Sequence, residues 1–477
     1  MHRLYSLALG AATAALTLTA SSASAASLTR QPYLQRVGPD TATIAFRLDA
    51  SCVPSVRYGT NGLTDQSAQS ETGSRNHAIV LNGLQPGTEY TYLVDACGAR
   101  TNPVRFSTAP VPGTRRVHFT AVGDFGMNNA DQRNVANAML ARDPELFLML
   151  GDNAYDAGTE EEFQNNLFVP MAPLLSQVPF FAVPGNHEYV TNKGQPYFDN
   201  LYLPTSKSGG EYYYSFDWGH VHFVAIDSNC AIGLSSADRC TLAAQKKWVE
   251  EDLAASSAPW KVVFFHHPPW SSGDHGSQRL MQREFPPLFE KYGVDLVLTG
   301  HDHHYERTHA MQGTSVAPSN TRQPVYLVVG SGGASLRPLE TSKPSWAVLR
   351  NDSDHGYLDV TVRDGTLSAQ ALTPSGKVMD SFTLTKELPP LESEPAPEQP
   401  GTSEPSAPPG TEQPGTSQPS TPAPGTVTQN PGLPAGPEDS ENLDPNMQPG
   451  CSAGPAMALL PAGAWVLAGV LRRRRRR

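Results

Sequence analysis

Asp124, Asp152, Tyr155, Asn186, His266, His301 and His303 are carboxylate, phenol, amide and imidazole donors that fall in five short blocks of similar design. The blocks read Gly123-Asp124-Phe125-Gly126, Gly151-Asp152-Asn153-Ala154-Tyr155, Pro184-Gly185-Asn186-His187-Glu188, His266-His267-Pro268 and Gly300-His301-Asp302-His303. A mixed set of carboxylates and imidazoles suits zinc, iron or manganese. Two ions held side by side need one carboxylate between them, and can stabilise both the attacking and the leaving oxygen of a phosphoryl displacement. Asp152 is the natural bridge. Any one GD or GNH alone is an ordinary turn; the chemistry rests on five such blocks in order.

Each block follows an apolar run: VHFTAV, LFLML, FFAV, KVVFF and DLVLT. With HFVAI and VYLVV these read as buried strands, alternating with amphipathic segments such as ADQRNVANAMLAR and AAQKKWVEEDLAA. The pattern predicts a layered α/β domain whose strand ends carry the donors, the usual place for a site in such a sheet. Residues 27–110 differ. Short alternating runs such as ATIAFRL, separated by Gly, Asn and Asp turns, predict an all-β sandwich.

The ordered blocks GDxG, GDxxY, GNHE, VxxH and GHxH resemble those of calcineurin-like metallophosphoesterases and, through GDxxY, of the purple acid phosphatases. GHDHHYERT is similar to the GHVHAYER of that family. Leu84-Gln85-Pro86-Gly87-Thr88-Glu89-Tyr90 resembles the tyrosine corner of fibronectin type III domains, which precede the catalytic domain in plant-type members. The implied fold is an N-terminal all-β sandwich (27–110) followed by an α/β layered metallophosphoesterase domain (115–387), a β-sandwich flanked by helices.

The resemblance further implies that Asp124, Asp152, Tyr155 and His303 bind iron(III), and that Asp152, Asn186, His266 and His301 bind zinc, manganese or iron(II). A phenolate is a hard anionic ligand suited to a trivalent ion; the alternative is that Tyr155 only packs against the strand end. His187 is expected to bind phosphate and protonate the leaving alcohol. His275, in a loop that departs from the plant pattern, is the candidate for a further substrate-side histidine. His267, Asp302 and His304 are expected to orient ligands or line the pocket, and His118, His220 and His222 to be structural.

The implied activity is hydrolysis of phosphomonoesters by a metal-bound hydroxide. The alternatives are a phosphodiesterase or nucleotidase with two divalent ions, and a non-catalytic surface module. Segments 191–210 and Cys230 to Cys240 are expected to rim the pocket and select the substrate.

The ends of the chain bear on location. Residues 1–26 combine Arg3, the apolar run Leu7 to Leu18 and the small residues Ser21 to Ala26, a signal peptide expected to be cut near Ala25 or Ala26. Residues 388–450 collapse to Pro, Gly, Ser, Thr, Glu and Gln, a linker with almost nothing to bury. Residues 451–477 hold Cys451, an apolar stretch and Arg472 to Arg477. They read as a membrane anchor, or as a sorting tag cut by a protease, as in myxobacterial-type envelope proteins. Either places the folded part in the cell envelope, at the outer surface or released. The formal charge is −11 with the terminal arginines included, so a nucleic-acid partner is not expected. Cys52 and Cys97 fall in one region, Cys230 and Cys240 in another, predicting two disulfides in an oxidising compartment; unpaired thiols are the alternative.

Overall fold

The computed structural model describes residues 26–205, 210–234, 240–339 and 341–388. The expected signal peptide, linker and C-terminal apolar segment lie outside the described residues, apart from Ala26 and Leu388 at their margins. Among the described residues no helix is long and apolar enough to cross a membrane.

The N-terminal part holds β1 (Leu28–Gln35), β2 (Thr41–Cys52), β3 (Ser55–Thr60), β4 (Gln66–Gln69), β5 (Ser74–Asn82), β6 (Glu89–Ala96), β7 (Ala99–Arg100) and β8 (Val104–Ser107). They form two antiparallel sheets, β1-β2-β5 and β4-β3-β6-β7 with β8 beside β6. Alternation does the work: in β5 every second residue from His77 is buried. The Tyr90 hydroxyl accepts the Gln85 N–H at 2.9 Å, the bond a tyrosine corner requires. The Cys52–Cys97 disulfide links the end of β2 to the turn after β6, joining the two sheets.

The second part runs β9 (Arg116–Val122), α1 (Ala130–Ala141), β10 (Leu146–Met149), α2 (Glu160–Glu162), a π-helical turn (Phe163–Phe168), α3 (Ala172–Gln177), β11 (Phe180–Ala182), α4 (Gln195–Asn200), β12 (Tyr214–Trp218) and β13 (Val221–Ala225). It continues through α5 (Ser228–Ile232), α6 (Leu242–Ala255), β14 (Trp260–Phe264), α7 (Arg279–Glu284), α8 (Pro286–Lys291), β15 (Leu296–Thr299), β16 (Tyr305–Gln312), β17 (Ser315–Val316), β18 (Val325–Val329), β19 (Ala347–Asn351), β20 (Tyr357–Arg363), β21 (Thr366–Leu372) and β22 (Val378–Thr385).

One sheet has the order β11-β10-β9-β20-β21-β22, the other β12-β13-β14-β15-β18-β16-β17 with β19 beside β16. In each, the strands that end in donor blocks are parallel: β9, β10 and β11 in the first, β14 and β15 in the second. Their carboxyl ends therefore meet on one side.

The sheets pack face to face. Phe119 of β9 meets Phe223 of β13 edge-on at 5.2 Å, and Phe181 stacks on Phe216 at 3.6 Å. Outside the second sheet, Trp248, Val249 and Leu253 of α6 and Phe289 of α8 bury against Val263, Val297 and Tyr326. This is the expected β-sandwich flanked by helices.

Of the segment 191–210, expected to rim the pocket, residues 191–205 and 210 are described. The segment carries α4, and Tyr197 is fully buried. Asn200 at the end of α4 receives Nη1 of Arg30 from β1 at 2.5 Å, and its carbonyl accepts from the Tyr33 hydroxyl at 2.7 Å. Gly and Pro in its sequence obscured a short helix whose Tyr197 packs beside Phe163 and bonds the Ala182 carbonyl at 2.9 Å, and whose last residue is tied to β1.

Candidate metal centre

The five turns after β9, β10, β11, β14 and β15 bring the seven expected donors together in two groups. Around Tyr155 Oη stand Asp124 Oδ1 at 3.1 Å, Asp152 Oδ2 at 3.0 Å and His303 Nε2 at 3.1 Å. Around His266 Nε2 stand Asn186 Oδ1 at 3.1 Å, His301 Nδ1 at 3.3 Å and Asp152 Oδ2 at 3.4 Å. One oxygen, Asp152 Oδ2, belongs to both.

The backbone is bent hard to achieve this. Asp124, Asp152 and His301 all have left-handed conformations, with φ of 57°, 51° and 72°, and non-glycine residues in that region carry strain of order 1–3 kcal/mol each. Gly185 allows the third and second turns to touch: a Cβ there would lie 2.0 Å from Asp152 Oδ1. Gly151 has φ of 95°, and its Cβ would lie 2.4 Å from His266 Nδ1.

The imidazoles are aimed by their second nitrogens. His266 Nδ1 bonds the Leu150 carbonyl at 2.8 Å and His303 Nδ1 the Ser335 carbonyl at 2.9 Å, so each turns Nε2 into the centre. Asp124 Oδ2 accepts the His301 N–H at 2.8 Å, leaving Oδ1 for the Tyr155 group.

The electrostatics call for a cation. Burial, with repulsion from Asp152 added, pushes the Asp124 carboxyl well above its usual range. Burial opposes ionisation of Asp152 as well, but His266 and its neighbours hold that group below the usual carboxylate range. Burial and the two carboxylates push the Tyr155 phenol far up, so a phenolate there needs positive charge beside it. Burial lowers His303 to about 4 and puts His301 well below the ordinary imidazole value, leaving neutral rings with lone pairs to donate. Oxygen and nitrogen donors about 3 Å apart suit atoms each about 2.1 Å from one ion. The residues present fit two metal ions.

Both expected substrate-side histidines flank the donors. His187 Nδ1 bonds the Asp156 carbonyl at 2.5 Å, and Nε2 lies 3.9 Å from Asp152 Oδ2 with part of the ring open to solvent. The His275 ring stacks on His301 at 4.3 Å, and its Nε2 meets the guanidinium of Arg337. His267 is buried, with Nδ1 on Ser228 Oγ at 2.8 Å and its ring 4.4 Å from His301, so it supports the wall. His304 turns away to Glu306, at 3.2 Å. His118 pairs with Asp359 at 2.6 Å, and His222 lies between Asp217 and Asp252, both far from the donors in role. A buried group of Asp227, Cys230 and Cys240 has the spacing of a metal site, but its sulfurs form the second disulfide.

Two residues of the site were given no role by the sequence: Glu188, although it closes the GNHE block, and Arg337, which lies outside every block. Glu188 is fully buried and accepts four backbone N–H groups, from Asp152 at 3.1 Å, Asn153 at 2.8 Å, Ala154 at 3.1 Å and Gly185 at 2.6 Å. It ties the second turn to the third. Arg337 reaches the site because its loop is pinned beneath it: Ala334 N–H bonds the Asp124 carbonyl at 2.8 Å, and Arg337 N–H the His303 carbonyl at 3.2 Å.

Residues 117–305 match the calcineurin-like phosphoesterase family, and residues 323–381 match the iron/zinc purple acid phosphatase-like C-terminal family. The chain carries a calcineurin-like phosphoesterase domain completed by a purple acid phosphatase-like C-terminal domain. The second match covers β18, β19, β20 and β21. Purple acid phosphatase 23 of Arabidopsis thaliana is 30% identical over 301 residues, 54% of this chain and 62% of that protein. The chain thus spans less than two thirds of that relative. Acid phosphatase type 7 of Mus musculus is 26% identical over 351 residues, 65% of this chain and 77% of the relative. The purple acid phosphatase PPD1 of yellow lupin (Lupinus luteus) shares the fold, with a TM-score of 0.62 at 20% identity over 74% of both chains.

Proposed function

We propose that this phosphoesterase is an exported dinuclear-metal hydrolase that releases phosphate from phosphomonoesters. The observation that carries the reading is the pair of donor groups sharing Asp152 Oδ2. Asp124, Asp152, Tyr155 and His303 would hold iron(III), and Asp152, Asn186, His266 and His301 a divalent zinc, manganese or iron(II). Bound there, the ions would supply Lewis acidity to the phosphate oxygens and make water a nucleophile below neutral pH.

The protein side chains do the rest. His187 Nε2 faces the centre while Nδ1 is held by the Asp156 carbonyl, so the ring is set to give a proton to the departing alkoxide. His275 and Arg337 stand together on the other side, where they can orient the ester's oxygens. The two disulfides support export to an oxidising compartment. In this reading residues 1–26 direct export, 388–450 space the enzyme from the envelope, and 451–477 anchor or sort it.

Metal analysis and visible spectroscopy of the purified protein test the assignment, with rates on p-nitrophenyl phosphate and bis(p-nitrophenyl) phosphate. Tyrosinate on iron(III) gives a visible charge-transfer band and monoester turnover is faster. A colourless, fully metallated enzyme that prefers the diester favours the phosphodiesterase reading. A metallated protein inert to both favours a binding module.

A further inference from the structure

Asp302 sits in sequence between two of the donors, His301 and His303, yet its carboxylate belongs to neither group. Its side chain is fully buried. Oδ2 accepts the hydroxyl of Ser271, and Oδ1 accepts the backbone N–H of His275 at 2.9 Å. Both oxygens are thus committed to the loop that carries His275.

The rest of that loop is fastened to the same strand end. Ser272 gives its N–H and its hydroxyl to Glu306 at 2.8 and 2.7 Å, and Ser271 Oγ also accepts the Gly273 N–H at 3.1 Å. The approach is close enough to require glycine at 273: a Cβ there would lie 2.8 Å from Asp302 Cγ and 2.6 Å from His304 Cε1. The loop cannot shift sideways without breaking these bonds or leaving a buried carboxylate unpaired, which is costly. At its end the His275 ring lies flat over His301.

The GHVHAYER pattern that GHDHHYER resembles has valine where this chain has Asp302. Valine accepts no hydrogen bond, so that pattern does not account for the fastening. The fastening accounts for a histidine whose loop departs from the plant pattern. We propose that Asp302 is a positioning residue that holds His275 over the metal centre by its backbone N–H, without itself touching metal or substrate. The inference rests on the proposed reading of His275 as a substrate-side group.

The test uses the full metal-loaded protein and the variants Asp302→Ala, Asp302→Asn, His275→Ala and the Asp302→Ala/His275→Ala double. Metal content, inorganic phosphate binding, KM and kcat on p-nitrophenyl phosphate, and amide hydrogen exchange across 271–275 are measured. In Asp302→Ala the His275 amide exchanges at least about tenfold faster, phosphate affinity falls about tenfold and KM rises more than kcat falls, with two metals retained. Asp302→Asn, which keeps an acceptor for the His275 N–H, recovers most of the loss. The double variant is no weaker than His275→Ala, because the two residues act as one unit. Additive losses, unchanged exchange at His275, or loss of metal from Asp302→Ala would overturn the proposal. If the wild type neither binds phosphate nor turns over ester, the functional reading fails, and exchange at His275 alone then decides the role of Asp302.

Discussion

Asp152 Oδ2 lies 3.0 Å from Tyr155 Oη and 3.4 Å from His266 Nε2, so a single carboxylate oxygen faces both halves of the centre. Removing it should damage both at once. Asp152→Ala is expected to lower kcat/KM by at least about a thousandfold and to reduce bound metal below two per chain, read by elemental analysis and steady-state kinetics. Retention of two ions and of activity would refute the shared-ligand assignment.

Tyr155 offers a more selective probe, since its oxygen stands in one group only. Tyr155→Phe is expected to abolish the visible band while leaving the His266 group its donors, and to lower activity about 10- to 100-fold. An unaltered spectrum with iron bound would mean that the colour has another source.

His187 should matter most when the leaving group is poor. His187→Asn is expected to lower kcat about 10²- to 10³-fold on an alkyl phosphate and far less on p-nitrophenyl phosphate, whose alcohol leaves without a proton. Equal losses on both would make His187 a phosphate-binding group alone.

Glu188 is tested through stability. Glu188→Ala leaves four backbone N–H groups without their acceptor, three of them in the block that holds Asp152, Asn153 and Ala154. At about 1–3 kcal/mol for each buried unsatisfied group, the loss threatens folding. Glu188→Gln keeps one carbonyl oxygen and so two of the four bonds, and is expected to cost about 2–6 kcal/mol, seen as a lower denaturation midpoint.

His222, remote from the centre, predicts a pH dependence. Burial lowers its affinity for a proton, but Asp217 at 2.7 Å and Asp252 at 2.8 Å win and raise its pKa to about 9. The raised value means that the folded state binds the proton more tightly than the unfolded one. The contribution, at most about 3 kcal/mol, is therefore fully present below about pH 6.5 and disappears as pH rises through about 9. Thermal denaturation of wild type and His222→Gln across that window should show the gap between them closing at alkaline pH.

The donors were legible because each follows an apolar strand directly, and parallel strands gather their carboxyl ends without further instruction. The layered α/β character followed from the same runs, and the pairing of two sheets was implied by the family resemblance. Glu188 and Asp302 were legible as members of their blocks, Asp302 as a residue expected to orient ligands or line the pocket, but not the contacts they make, and Arg337 was not legible at all. Their roles depend on backbone groups from distant turns, such as the 188-to-152 and 302-to-275 contacts, and no local spacing encodes those. For α4 the information was non-local: Tyr197 bonds the Ala182 carbonyl and Asn200 is tied to Arg30 of β1, contacts that local propensity does not register.

Arg30 gives the N-terminal sandwich a meaning beyond that of an appended module. Although on β1, it is 3% exposed, its guanidinium lies 3.7 Å over Phe168, and it bonds Gln164 at 2.8 Å, Asn200 at 2.5 Å and Glu160 at 3.1 Å. The Tyr92 hydroxyl reaches the Ser176 carbonyl at 2.8 Å across the same seam. Cutting the chain between β8 and β9 would strand a hydrated cation on one fragment and bare aromatic surface on the other. The two halves are thus to be handled as a single piece, and a recombinant catalytic fragment lacking the sandwich is expected to aggregate.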